Sequence, residues 1–107
     1  MTHVVIVAPE ARAQIEAIDA WWREHRPASP ALFTEEMAQA EATLEGIPEA
    51  GRRLRHPEIR GLRRLILRST CYHFYYIVID ELVIVLVAWS AVRGLGSDLR
   101  GPAIPSG

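Results

Sequence analysis

The chain has 107 residues, of which half are hydrophobic, and a formal net charge of −1 at pH 7. This length and composition fit one globular domain with one core, and they exclude a disordered chain. The single cysteine, Cys71, excludes an internal disulfide and a multi-cysteine zinc site, and we expect it to be a small buried apolar side chain.

The chain begins with a pattern that predicts a strand and a helix. Residues 3 to 8 are mostly β-branched and apolar, which is typical of a short buried strand. Apolar residues then recur at helical spacing, which predicts an amphipathic helix over about residues 9 to 25 that ends before Pro27. In that helix Trp22 fits the apolar stripe, so its neighbour Trp21 should be the more exposed of the two.

A second helix should follow after a short linker. Ser29 and Pro30 are typical of an N-cap and a first helical position, so they predict where this helix begins. Its apolar stripe continues to Ile47, and Gly46 or Pro48 should end the helix. Two helices joined by a linker of a few residues form an antiparallel helical hairpin.

The second half of the chain predicts a loop followed by strands. Residues 48 to 61 contain two prolines and two glycines, as expected of a loop. Asp80 and Glu81 are a poor pair for a primed turn because neither is glycine, but the β-branched runs on both sides are strong enough to predict a hairpin. The predicted strands cover about residues 62 to 69, 71 to 79 and 82 to 90.

The resulting order, β-α-α-β-β-β, predicts an α+β fold in which the helical hairpin packs on one face of a small, mainly antiparallel sheet. We expect one domain over residues 1 to 93. Residues 94 to 107, rich in glycine and proline, should form a flexible tail.

The longest apolar runs are short, because Asp80 and Glu81 interrupt them, so no transmembrane helix fits. The first residues lack the basic segment of a secretory signal. With the lone cysteine, these features predict a cytoplasmic protein.

Charge is distributed unevenly along the chain. Residues 10 to 50 carry most of the acids, whereas residues 52 to 68 hold seven arginines and one acid, Glu58. Such a segment attracts an anionic partner. The chain has no lysine, which fits either selection for the bidentate guanidinium group or a genomic preference for arginine codons. The clustering of the arginines is therefore more informative than their identity.

With these residues, the element order resembles the RelE/ParE superfamily of type II toxins, and the ParE branch most closely. The resemblance covers Val4 to Arg93. Its motifs are the A…I..I helix, a P..G corner, a G-[LIV]-R-x-L strand start, a tyrosine-rich strand and a final strand ending like V-W-H-G-A-R. They correspond to Ala11, Ile15 and Ile18; Pro48 and Gly51; Gly61 to Leu65; Tyr72 to Val78; and Ala88 to Arg93.

The resemblance implies the toxin of a bacterial toxin-antitoxin pair, which acts without a cofactor and is neutralised by a cognate antitoxin. ParE-type toxins poison DNA gyrase by a protein contact, whereas RelE-type toxins cut messenger RNA on the ribosome with basic residues and a C-terminal tyrosine. In this chain Ser90 replaces a common histidine, and no tyrosine follows Arg93. These departures favour a ParE-like gyrase inhibitor. The alternatives are an mRNA endonuclease and a degenerate toxin that only binds antitoxin.

Tryptophan and arginine are enriched at binding hot spots, and the arginines would pair with acids of an antitoxin that docks between the helical hairpin and the sheet. Alternation along the strand places Arg64, Ile66 and Arg68 on one face, and Arg63 on the core face near the sheet edge. The candidates for antitoxin or target binding are Arg63, Arg64, Arg68, Trp89, Arg93 and Trp21.

If the protein is a nuclease, the candidates for proton transfer and phosphate binding are His73, Tyr75 and Arg93. Alternation places His73 and Tyr75 on the strand face opposite Phe74 and Tyr76, so we expect the first pair to face outward and the second pair to pack beneath the helices. This packing interpretation is favoured over a catalytic role.

No spacing of histidine, cysteine and acid fits a metal site, and no glycine-rich phosphate loop is present. Both predicted helices are net acidic, so neither resembles a DNA recognition helix.

Overall fold

A computed structural model describes residues 2–90, with the backbone alone for Trp89 and Ser90. Two helices and five strands form the predicted order, with the addition of a two-residue strand, β2, inside the predicted loop. The predicted tail over residues 94 to 107 lies outside the described residues. The elements are β1 (Val4–Val7), α1 (Pro9–His25), α2 (Leu32–Gly46), a 3-10 turn (Pro48–Ala50), β2 (Arg52–Arg53), β3 (Arg63–Leu67), β4 (Tyr72–Ile79) and β5 (Leu82–Ser90).

The strands form a single sheet in the order β1-β5-β4-β3-β2. Strand β1 runs parallel to β5, and every other pairing is antiparallel, which confirms a mainly antiparallel sheet. The predicted hairpin between β4 and β5 turns at Asp80, whose φ of 54° supplies the left-handed conformation that glycine usually provides. A register shift at Tyr75 and Tyr76 introduces a bulge between these two strands.

The helical hairpin differs from the prediction at the start of α2. The helix begins at Leu32, after the N-cap residue Ala31, and not at Ser29. The carbonyl of Ser29 accepts hydrogen bonds from the Trp22 indole nitrogen (2.8 Å) and from the Leu32 amide (3.2 Å). Ser29 is thus part of the turn that joins the helices, and its carbonyl fixes the buried indole of α1.

The main core lies between the helices and one face of the sheet. Strand alternation directs Phe74 and Tyr76 towards the helices, as predicted, and both are fully buried. Buried residues of this cluster come from α1, α2, β3, β4 and β5: Ala11, Trp22, Phe33, Met37, Ala40, Leu44, Leu67, Phe74, Tyr76, Val83, Val85 and Ala88.

The opposite face of the sheet, called here the open face, carries a second and smaller core. Residues 54 to 62 fold back over one half of this face, where Leu62 packs with Tyr75 and Val87. Leu54 and Ile59 from the same segment pack against that cluster. The other half of the open face has no such cover within the described residues.

Cys71 is exposed rather than buried, so the expectation from composition was wrong. The residue has a φ of 66° and closes the turn between β3 and β4, where its amide donates to the Leu67 carbonyl at 2.8 Å. Cys71 therefore belongs to an exposed turn rather than to a strand, so its side chain is not part of the core.

Within residues 2–90, no helix is long and apolar enough to cross a membrane.

Candidate interaction surface

The arginine-rich segment between β2 and β3, residues 54 to 62, is a loop held by internal hydrogen bonds and is called here the arginine loop. The Leu54 amide donates to the Leu62 carbonyl at 2.9 Å, which closes the base of the loop. Nδ1 of His56 accepts hydrogen bonds from the amides of Glu58 and Ile59, each at 3.0 Å. Gly61 adopts a φ of 71°, which suits a residue without a β-carbon. The loop is therefore pre-organised by its own hydrogen bonds.

This loop encloses a cleft of about 510 Å³, which we call the arginine cleft. Arg53, Arg55 and Arg60 are exposed, and no acidic residue contributes to the lining. Among residues 2–90 the one ion pair joins Arg23 and Asp19, so these three guanidinium groups have no internal counter-ion there. The lining consists of Arg53, Leu54, Arg55, His56, Ile59, Arg60 and Gly61.

The predicted binding arginines of β3 are in different settings. Arg63 lies at the start of the strand beside β2, and its guanidinium donates to the carbonyls of Glu49 (3.2 Å) and Gly51 (2.8 Å). Arg64 lies on the open face across from Tyr75 and is half-buried, and its Nε has no hydrogen-bond partner among the described residues. Arg68 is exposed in the turn after β3. The strand faces were predicted correctly, but only Arg68 is freely accessible.

His73 and Tyr75 lie on the open face, as alternation predicted, but they do not face solvent. His73 is 6% exposed and Tyr75 is 1% exposed, because Tyr75 packs beneath Leu62 and the two rings meet edge to face at 5.1 Å. Both ring nitrogens of His73 are buried with no hydrogen-bond partner in the described part of the chain. Sequence alternation identified the face, but it contained no sign that the loop folds over it.

Burial, and secondarily the positive charge of Arg64, lowers the pKa of His73 from 6.5 to about 4. Burial also raises the pKa of Tyr75, although its hydrogen bond from Arg64 opposes the rise. At neutral pH both side chains are therefore uncharged.

The His73 shift predicts a pH-dependent stability. Between pH 6.5 and about 4 the unfolded chain binds a proton at His73 that the folded chain does not. The free energy of unfolding should therefore fall as the pH falls through this window, by up to about 1.4 kcal/mol per pH unit from this residue. Urea titrations of the wild type and His73→Phe should show this contribution only in the wild type.

His25→Gln is the matched control, since His25 is exposed on α1. Its free energy of unfolding should depend on pH as that of the wild type does, and should therefore differ from that of His73→Phe in the same way. Parallel pH profiles for the wild type and His73→Phe would contradict a buried neutral His73.

The uncovered half of the open face is aliphatic across three strands. The register aligns Val4, Leu82 and Ile79 in one row, and Ile6, Ile84 and Ile77 in the next. Val4 is 56% exposed and Ile79 is 49% exposed. Ile77 also touches the cluster under the arginine loop, so the two halves of the face are continuous. We call these six residues the aliphatic patch.

The tryptophans and Arg93 complete the predicted candidates. Trp21 is 36% exposed and Trp22 is 7% exposed, which confirms their predicted order. The Trp21 ring stacks on His25 at 4.3 Å, and Arg26 lies 5.5 Å from the centre of the same ring. The backbone of Trp89 pairs with His73 in the sheet. Arg93 lies outside the described residues.

No group of three or more potential metal ligands occurs within the described residues.

Comparison with solved structures defines the fold class. The fold is similar to that of the chromosomal ParDE toxin-antitoxin system from P. aeruginosa, with a TM-score of 0.66, 17% identity and coverage of 83% of this chain and 96% of that chain. It is also similar to a free mutant of E. coli toxin RelE, with a TM-score of 0.54, 19% identity and coverage of 99% and 93%. The isolated E. coli RelE toxin gives a TM-score of 0.51, 23% identity and coverage of 83% and 84%.

These structures share the fold of RelE and ParE toxins. The sequence model for the ParE toxin of the type II toxin-antitoxin system, parDE, matches residues 5–91. Because this match spans most of the chain, the chain belongs to the ParE toxin family of the RelE/ParE superfamily. Comparison with curated protein sequences gives no match.

Proposed function

We propose that this ParE-family toxin acts by a protein contact on DNA gyrase, and that a cognate antitoxin neutralises it in the cytoplasm. Membership of the family supports the toxin and antitoxin roles. The gyrase target follows from the resemblance to ParE-type toxins. The observation that favours a protein contact is the aliphatic patch.

Soluble domains rarely leave a continuous aliphatic surface of this kind uncovered, and such surfaces usually contact another protein. Ile6 is 42% exposed and Leu82 is 36% exposed, in addition to their more exposed neighbours. Each aliphatic side chain that becomes fully buried at an interface contributes about 1.5–3 kcal/mol of transfer free energy before the costs of association. A partner that covers most of the patch therefore gains a large part of its affinity there.

Cleavage of RNA has less support than a protein contact. His73 and Tyr75 are buried, so a phosphodiester cannot reach them without a rearrangement of the fold. With its pKa near 4, His73 is a neutral imidazole at neutral pH and lacks the acidic imidazolium proton that a general acid would donate to a leaving oxygen.

The proposal is tested by gyrase supercoiling of relaxed plasmid in the presence of ATP and purified toxin. The wild type should inhibit supercoiling. The double variant Ile6→Glu/Ile79→Glu should inhibit at least about tenfold less, because two buried carboxylates would have no partners in the interface. Both positions are exposed in the free protein, so folding should persist.

The matched control is Gln39→Glu/Ala42→Glu, at exposed positions of α2. It should inhibit like the wild type. Full supercoiling at saturating wild-type protein would reject gyrase as the target. Equal inhibition by the patch variant would instead reject the patch as the contact.

A degenerate toxin that only binds antitoxin would leave both supercoiling and messenger RNA intact while still forming the antitoxin complex.

A further inference from the structure

We propose that the arginine cleft binds an acidic peptide segment that carries an aliphatic anchor residue, supplied by a protein partner. This inference deepens the proposed function by naming the chemistry of the partner segment. It rests on that function only for the partner's identity, the antitoxin. The lining of the cleft does not include Arg63 or Arg64, the β3 arginines that sequence patterning favoured.

The charge of the cleft points to an anionic ligand. Arg53, Arg55 and Arg60 bring three guanidinium groups to one concave surface without a lining acid. Glu58 belongs to the same loop but is not part of the lining. Carboxylates accept paired hydrogen bonds from guanidinium groups, so closely spaced acids match this surface.

His56 adds a donor to the same lining. Its Nδ1 accepts hydrogen bonds from two backbone amides, so Nε2 is the ring nitrogen that can donate to a ligand. The amides hold the ring in place before any ligand arrives, which limits the entropy lost on binding.

The floor of the cleft is apolar, which separates a peptide from a bare anion. Leu54 and Ile59 line the cleft and pack against the cluster of Leu62, Tyr75 and Val87. An aliphatic side chain of the ligand would cover this floor, whereas a phosphate group would leave it in contact with water. The combination of guanidinium rim and aliphatic floor therefore fits an acidic segment with a leucine-like anchor.

A nucleic acid fits the surrounding surface less well. The cleft volume of about 510 Å³ accommodates a few residues rather than a long strand. Helix α2 carries Glu35, Glu36, Glu41 and Glu45 with no basic residue, so an extended polyanion meets repulsion elsewhere on the domain. A short acidic segment avoids this repulsion.

The position of the other arginines supports the assignment. Arg63 donates from its guanidinium to the carbonyls of Glu49 and Gly51, and Arg64 is half-buried. An acidic partner would have to displace the hydrogen bonds of Arg63 or reach the half-buried Arg64. The cleft arginines carry no such cost.

The test is fluorescence anisotropy with a labelled octapeptide of glutamate that has leucine at two internal positions, at physiological ionic strength. The wild type should bind it. The triple variant Arg53→Ser/Arg55→Ser/Arg60→Ser should bind at least about tenfold more weakly. Far-UV circular dichroism and a urea titration check that the variant remains folded.

The matched control removes three exposed arginines outside the cleft, Arg12→Ser/Arg52→Ser/Arg68→Ser, with the same change in net charge. It should lose less than about threefold in affinity, because these arginines do not line the cleft and exposed charges are screened at physiological ionic strength. Equal losses in the two triple variants would overturn the cleft as a site and leave only general electrostatic attraction.

Two further ligands identify the chemistry. An octapeptide with serine in place of leucine should bind several-fold more weakly than the leucine peptide, and a single-stranded DNA octamer should bind more weakly still. Equal binding of the serine peptide, tighter binding of the DNA, or no binding of the leucine peptide would each overturn the proposal. Because this titration needs neither gyrase nor antitoxin, its failure is distinguishable from failure of the proposed function.

Discussion

Gly51→Ala should lower the free energy of unfolding by about 4 kcal/mol, through steric overlap and the loss of a buried hydrogen-bond junction. A methyl group at Gly51 would lie 2.6 Å from the Tyr76 hydroxyl oxygen and 2.8 Å from the Arg64 carbonyl oxygen. The latter is backbone within the sheet, so the clash cannot be relieved by a side-chain rotation.

The Tyr76 hydroxyl joins two parts of the fold at this position. It accepts from the Gly51 amide at 2.7 Å and donates to the Pro48 carbonyl at 2.8 Å, and the ring itself is fully buried. Any shift that makes room for the methyl group breaks both bonds and leaves buried polar groups unpaired. The corner that leads into β2 and the arginine loop would loosen with it.

Urea denaturation measures the loss. Gly46→Ala is the matched control, since no atom lies within 4 Å of the position that its β-carbon would take. Alanine at the end of α2 should be neutral or stabilising by up to about 1 kcal/mol. Similar midpoints for Gly51→Ala and Gly46→Ala would show that the corner is not closely packed.

Glu36→Ala is expected to destabilise the protein by about 3 kcal/mol, because its carboxylate accepts three hydrogen bonds from the turn between β3 and β4. The donors are the Ser69 amide (2.7 Å), the Thr70 amide (3.0 Å) and the Thr70 hydroxyl (2.7 Å). Thr70 is buried, so its amide and hydroxyl cannot regain full hydration when the carboxylate is removed.

Glu35→Ala on the neighbouring, exposed position of α2 should change stability by less than about 0.5 kcal/mol. The stability of Glu36→Gln should lie between those of Glu36→Ala and Glu35→Ala. Its amide oxygen remains an acceptor, but its NH₂ group faces other donors. Thermal or urea unfolding of the three variants gives the comparison. A Glu36→Ala protein as stable as Glu35→Ala would mean that water replaces the carboxylate without loss.

The helices and long strands were predictable because each carries its own periodicity. The apolar stripe of α1 placed its ends at residues 9 and 25, where the structure has them. The runs that flank Asp80 were long enough to predict the hairpin despite poor turn residues, and Asp80 adopts the positive φ itself. The local sequence pattern was sufficient to predict each element whose apolar residues recur along one face.

Features that depend on distant parts of the chain were not predictable. Nothing local to Tyr75 indicates that residues 54 to 62 cover it, and β2 is too short to have a pattern. Glu36 appeared to be an ordinary acid off the apolar stripe, although it holds a turn more than thirty residues away. These contacts arise from loop geometry, which residue spacing does not encode.

The candidate surface was predictable in composition but not in detail. The arginine cluster was evident from charge alone, yet the sequence favoured Arg63, which forms internal hydrogen bonds, and Arg64, which is half-buried. Arg53, Arg55 and Arg60 gained importance only when their loop was seen to form a cleft. The aliphatic patch was hidden because strands buried on both faces and strands exposed on one face can have the same apolar composition.

The most direct measurement compares two reactions of the purified wild-type toxin side by side. One contains gyrase, plasmid DNA and ATP, and the other contains translating ribosomes on a defined messenger RNA. A toxin that acts through a protein contact on gyrase should produce linear plasmid or block supercoiling while the messenger RNA stays intact. Cut messenger RNA beside normal supercoiling would contradict this account, and any role of His73 and Tyr75 in the cleavage would require these buried side chains to become accessible.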